Sequence, residues 1–218
     1  MTQQKEKIAK AIDSMRDELL TLSHEIHDHP EIGFEEHQAV GFIRSFLEKQ
    51  GFEVEVPYCG IETSFKAVKK GKGPGPRIAF LAEYDALRGI GHGCGHNIIA
   101  TCAVGAFSGL ATLMDEYDGE ISIIGTPAEE GGAGKVVLLE RGAFDETDYA
   151  LMMHPSGGGS NLVGRGGRAA TTIHVTFHGK SAHSSVPANG VNALSAGIHV
   201  FNQIDMMRPT FEVQDNIN

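Results

Sequence analysis

Three short apolar runs constrain the fold of this chain most tightly: residues 78–82, 120–125 and 149–153. Each is too short for a helix and almost wholly apolar, which is the pattern of a strand covered on both faces. Helical patterns at 97–115 and 134–141 separate them, so the order is strand-helix-strand-helix-strand. That order predicts an α/β fold with a largely parallel sheet and flanking helices. In open sheets of this kind, ligands collect just beyond the carboxyl ends of the strands. The residues that follow each run are therefore the first place to look for chemistry.

Upstream, Ile8, Ile12, Met15, Leu19, Leu22 and Ile26 recur every three or four residues. The spacing predicts one long amphipathic helix that Pro30 ends. A second helix is expected over 35–50, closed by Gly51, followed by strands at 52–56 and 64–68 and a Gly/Pro-rich turn at 71–76. Beyond the third apolar run the composition changes. Glycine-rich stretches at 156–160 and 164–167 bracket a flexible connection, after which 170–177 alternates like a strand and 191–204 reads as a helix. We place a boundary there, with a first domain at 1–166 and part of a second at 167–218. One strand and one helix cannot close a core of their own, so the chain is expected to stop inside that second domain.

Charge and cysteine usage narrow the function. There are 28 acidic and 18 basic residues, net −10, with no basic block, which argues against nucleic acid and anionic membrane as partners. Residues 89–114 carry no charge beyond histidine apart from none in the Asp, Glu and Lys classes, and Gly105 and Gly109 have the spacing of membrane helix pairs. Yet His92, Cys94, His96 and Asn97 interrupt the run, and 98–114 is too short and too rich in Ala, Gly and Ser to span a bilayer. A buried helix with its small residues facing the sheet is expected. The polar start has no secretory hydrophobic region, and Cys59, Cys94 and Cys102 form no paired framework. Cytoplasm is the expected compartment.

Each apolar run leads into metal-competent side chains. The first leads to Cys94 and His96, the second to Glu129 and Glu130, the third to His154. Two residues apart on a helix would point about 200° apart, so Cys94 and His96 are expected on a turn, supplied by Gly91, Gly93 and Gly95. Thiolate, imidazole and carboxylate together suit zinc or another divalent transition ion. Adjacent glutamates diverge, so one can bind metal while the other handles a proton. A hydrolase using the Cys94 thiol with His96 is the distant alternative, one that chelators would not inactivate. His92 is ambiguous. His24, His27, His29, His37, His174, His178 and His199 are read as structural or exposed.

The stretches His27-x-x-Pro30-Glu31-x-Gly33-Phe34-x-Glu36, Asp85-Ala86-Leu87, Gly93-Cys94-Gly95-His96, Pro127-Ala128-Glu129-Glu130, His154 and Gly179-Lys180-x-Ala182-His183-Ser184-Ser185-x-Pro187 together carry a resemblance. The chain resembles the amidohydrolase branch of the aminoacylase-like dinuclear metallopeptidases, which includes hippurate hydrolases. The resemblance implies a zinc-peptidase-like catalytic domain with an inserted ferredoxin-like lid through which two chains form a homodimer. It implies two divalent ions per complete site, zinc or manganese, with Cys94, His96, Glu130 and His154 as metal ligands. Glu129 would be the general base, Asp85 would orient a ligand, and His183 of the lid would stabilise the oxyanion in a partner's site. The implied reaction is hydrolysis of an amide bond in N-acyl amino acids, aminobenzoyl-glutamate-like compounds or dipeptides. The chain departs from the family pattern at Arg88, where proline is usual, and at Asn97, where aspartate is usual. It also lacks the family's last metal-binding histidine. The alternative is an impaired fragment that only binds metal or associates.

Overall fold

In the computed structural model, which describes residues 3–157, 159, 163 and 173–211, the apolar runs form the middle and one side of a five-stranded sheet. The strands are β1 (Val54–Glu55), β2 (Lys66–Lys70), β3 (Arg77–Ala82), β4 (Glu120–Gly125) and β5 (Tyr149–Leu151), in the order β1-β2-β4-β3-β5. β4, β3 and β5 are parallel, with Ile78 opposite both Ile121 and Tyr149. β1 and β2 add an antiparallel flank. The strand expected at 52–56 shrinks to two residues, because Pro57 has no N–H to continue the ladder. The one expected at 64–68 starts later. Ser64 and Phe65 still bond Gly125, but the Ser64 carbonyl is taken by the Tyr58 amide of the preceding loop.

β4 is covered on both faces, as its composition requires. Ile121 and Ile123 join a core with Leu22, Ile26, Ile43, Leu47 and Phe107, while Ile124 joins Tyr58, Ile61, Ala79 and Leu138 on the other side. Each such fully buried side chain contributes about 1.5–3 kcal/mol. β5 lies at a sheet edge with Tyr149 and Leu151 exposed.

The single helix expected at the N-terminus is two: α1 (Gln3–Ser14) and α2 (Arg16–Asp28). The break is at Met15, whose amide bonds Ile12 three residues back, a tighter turn than the α-helix allows to continue. Its cause lies in α4 (His96–Ala111), which packs on β3 and β4 and also meets α1 and α2. A Cβ on Gly105 would lie 3.3 Å from Leu19, and one on Gly109 would lie 2.8 Å from Ile12. The glycines thus receive side chains from two differently directed helices. Contrary to expectation, these small residues face α1 and α2 and not the sheet. α3 (His37–Lys49) ends where anticipated: Gly51 adopts φ +86° and its amide bonds the Glu48 carbonyl. α5 (Gly134–Glu140) covers the second core.

The chain divides into two compact units, Met1–Ser160 and Asn161–Asn218. In the second, α6 (Ala193–Met207) begins where the Asn192 side chain accepts a hydrogen bond from the Ser195 amide at 3.0 Å. Of the strand expected at 170–177, residues 170–172 lie outside the described residues. Residues 173–177 form no ladder, because no described neighbour pairs with them. The Lys180–Val191 bridge is the pairing seen among the described residues of this unit.

Candidate metal centre

Three loops beyond the carboxyl ends of β3, β4 and β5 converge around one histidine. Gly91 (φ +88°) and Gly95 (φ +76°) bend the chain so that Cys94 sits in the turn and His96 becomes the first residue of α4. His96 is 1% exposed. Its Nδ1 lies 3.0 Å from Asp85 Oδ1, and Asp85 Oδ2 accepts the Glu130 amide at 2.9 Å. Asp85, itself buried, therefore locks the ring and the glutamate loop together. A carboxylate can only accept from the ring here, so the proton belongs on Nδ1 and the Nε2 lone pair points away from Asp85.

What Nε2 faces decides the chemistry. It makes no hydrogen bond, and carboxylate oxygens approach it from three residues: Glu83 at 3.4 Å, Glu130 at 3.7 Å and Glu129 at 3.8 Å. Acceptors facing an acceptor need a positive charge between them. Ligand atoms of Glu83, His96 and His154 lie within 4.8 Å of one another, as do those of His96, Glu129 and Glu130. His154 follows β5 and meets His96 edge-on at 6.0 Å. Its Nδ1 is 2.6 Å from the Pro155 carbonyl, which again leaves Nε2 with a free lone pair. Imidazole nitrogens with carboxylate oxygens at this separation fit a divalent cation.

The titration shifts agree with that geometry. Burial disfavours a charged His96, but Asp85, Glu83 and Glu130 outweigh it and raise its pKa. Burial likewise opposes ionisation of Asp85, yet the bonds from His96 and the Glu130 amide pull it below the usual carboxylate value. Burial and then the Glu83 charge raise Glu129, with Lys135 opposing. The Cys94 thiol, hydrogen-bonded to Glu130, is pushed up to about 11 by that bond, by burial and by the neighbouring carboxylates.

Of the residues singled out in the sequence, the structure therefore brings together His96, Glu129, Glu130 and His154, with Asp85 behind them and Cys94 beside Glu130. Glu129 and Glu130 approach His96 almost equally, so distance alone does not separate their roles. His183 belongs to the second unit, where its Nδ1 accepts the Ser185 amide at 3.2 Å and its Nε2 is left to carry the proton. Asn97 is turned away from the cluster and donates to Ser23 of α2 at 3.0 Å. Arg88 lines a groove with Pro30, Glu35 and Ile90.

Sequence reasoning missed Glu83, although it directly follows the first apolar run. The roles of Glu31 and Glu36 were also unread. Glu31 accepts the Gln38 and Ala39 amides at the start of α3, and Glu36 accepts the Ala128 amide at 2.8 Å. Both anchor the site loops. Gly33 lets the same segment approach Ala128, where a Cβ would come within 2.7 Å.

Comparison with known proteins gives this geometry a lineage. The chain is 36% identical to mouse Xaa-Arg dipeptidase, over 96% of its own length and 52% of the relative's. It is also 36% identical to a component of the p-aminobenzoyl-glutamate hydrolase of Escherichia coli, over 68% and 34% of the two chains. A dinuclear metal-binding peptidase of Bacillus subtilis superposes with a TM-score of 0.58 at 29% identity, covering 63% of this chain and 42% of that one. A putative aminohydrolase of Staphylococcus aureus shares the fold over 99% of this chain and 62% of its own, with a TM-score of 0.71 at 22% identity. The chain spans about half the length of the dipeptidase relatives. Residues 79–211 match the family described as peptidase family M20/M25/M40, and those residues hold the whole cluster around His96, so the chain belongs to that family.

Proposed function

We propose that this protein takes part in metal-dependent hydrolysis of an amide bond in dipeptides, N-acyl amino acids or aminobenzoyl-glutamate-like compounds. The observation that carries the reading is the buried, unpartnered Nε2 of His96, faced by three carboxylates. His96, His154 and Glu130, with Cys94 beside them, would hold the ions, two in a complete site and zinc or manganese by ligand type. A divalent ion held there would polarise the scissile carbonyl and acidify a water. Asp85 keeps the His96 proton on Nδ1, so that Nε2 stays available. Glu129, the more exposed of the glutamate pair, is placed to take a proton from water and return it to the leaving amine. Its raised pKa suits both steps. We assign residues 1–166 to the catalytic domain and 167–218 to the beginning of a ferredoxin-like lid that mediates dimerisation. There His183, with its proton on Nε2, would donate to the developing oxyanion of a partner's site.

The relatives supply the substrate class: dipeptides ending in arginine for one, aminobenzoyl-glutamate for another. The test is hydrolysis of a panel of dipeptides and N-acyl amino acids by the manganese- or zinc-loaded protein, before and after chelation. Glu129→Gln keeps size and hydrogen bonding but removes basicity, so turnover should fall about 10²–10⁴-fold with bound metal unchanged. Parallel loss of metal would show that Glu129 is a ligand and reverse the roles of the pair.

A further inference from the structure

We propose that Glu83 is an additional carboxylate donor to the cation held by His96, on the His154 side of the cluster. The inference rests on the reading of His96 as a cation ligand and extends it to a residue with no role so far. Glu83 is 1% exposed at the exit of β3. Its Oε1 is gripped by the Lys135 ammonium at the start of α5. Its Oε2 has no hydrogen-bond partner and lies 3.4 Å from His96 Nε2, which has none either.

A purely structural ion pair accounts for the first oxygen and not for the second. A buried carboxylate oxygen is normally satisfied by a donor, and leaving it bare beside an imidazole lone pair is unfavourable for both. A cation between them satisfies both at once. Lys135 then serves to fix the carboxylate with Oε2 turned inward. Glu83, His96 and His154 offer one oxygen and two nitrogens within 4.8 Å of one another, a set suited to zinc or manganese. Glu129 and Glu130 approach the same ring nitrogen and form the second group with it.

The experiment is a cobalt(II) titration of the purified protein, with affinity read by competition against a chromophoric chelator and geometry read from the visible absorption bands. Glu83→Gln should weaken the tighter binding event about 10–100-fold and alter the bands, while thermal melting of the metal-free protein still shows a folded chain. Should the glutamine variant fail to fold, Glu83→Asp carries the measurement. It keeps the charge for Lys135 but withdraws the donor by one methylene, and the same loss is expected. Wild-type affinity and bands in these variants, alongside lost binding in His96→Ala, would overturn this inference alone. Absence of cobalt binding by the wild type, or indifference to His96→Ala, would overturn it together with the reading of the site.

Discussion

Replacing Asp85 with asparagine isolates what the buried carboxylate does for His96 without changing its size. Asp85 accepts from both sides at once, from His96 Nδ1 at 3.0 Å and from the Glu130 amide at 2.9 Å, and its side chain is 0% exposed. An asparagine can satisfy the Glu130 amide only with its single carbonyl oxygen. Its NH₂ group must then face His96, which drives the ring proton to Nε2, toward the carboxylates. The lone pair needed by a cation is lost from that position. Removing an orienting hydrogen bond of this kind costs about 10–100-fold in metal affinity, or about 1.4–2.8 kcal/mol at 1.4 kcal/mol per tenfold. Losing a buried charge-assisted hydrogen bond should also cost about 1.5–3 kcal/mol of folding stability. Chelator-competition titration with zinc measures the first, urea melts of the metal-free protein the second. Wild-type zinc affinity in Asp85→Asn, with the fold intact, would refute the argument that Asp85 sets the tautomer.

Two further predictions concern the loops that carry the site. Gly33→Ala places a methyl 2.7 Å from Ala128 Cβ, so the loop must shift; turnover or metal affinity should fall although no proposed ligand is touched, and an unchanged variant would show the loop to be compliant. Glu36 is buried, and burial raises its carboxyl above the ordinary value near 4.5. The folded state therefore holds its proton to higher pH than the unfolded state, and this contribution to stability, fully present below pH 4.5, declines as pH rises through the folded pKa. Glu36→Gln keeps the acceptor for the Ala128 amide and should gain stability relative to wild type as pH rises from about 4 to about 7 in paired urea melts. A difference that does not change with pH would refute it.

Much of this was legible from residues alone, because local rules sufficed. The apolar run of β4 matches its observed bounds, Gly51 closes α3, and the glycines at 91 and 95 adopt the positive φ that places Cys94 and His96 at a turn and a helix start. The rule that ligands gather past strand ends pointed to the same three loops that converge on His96. Contacts between distant residues followed no such local rule. The spacing from Ile8 to Ile26 is equally good for one helix or two, and only the glycines of α4 decide where it breaks. The antiparallel flank and the strand order depend on which edges find partners, which periodicity does not encode. Glu83 shows the limit most clearly. As a glutamate after an apolar strand it could equally have been a solvated strand end, and its meaning comes from Lys135, 52 residues away in sequence, and from the bare nitrogen of His96. Residue type and spacing determined which side chains could bind a cation; tertiary packing decided which of them lost water and hydrogen-bond partners, because burial alone makes an unpaired lone pair costly enough to require one.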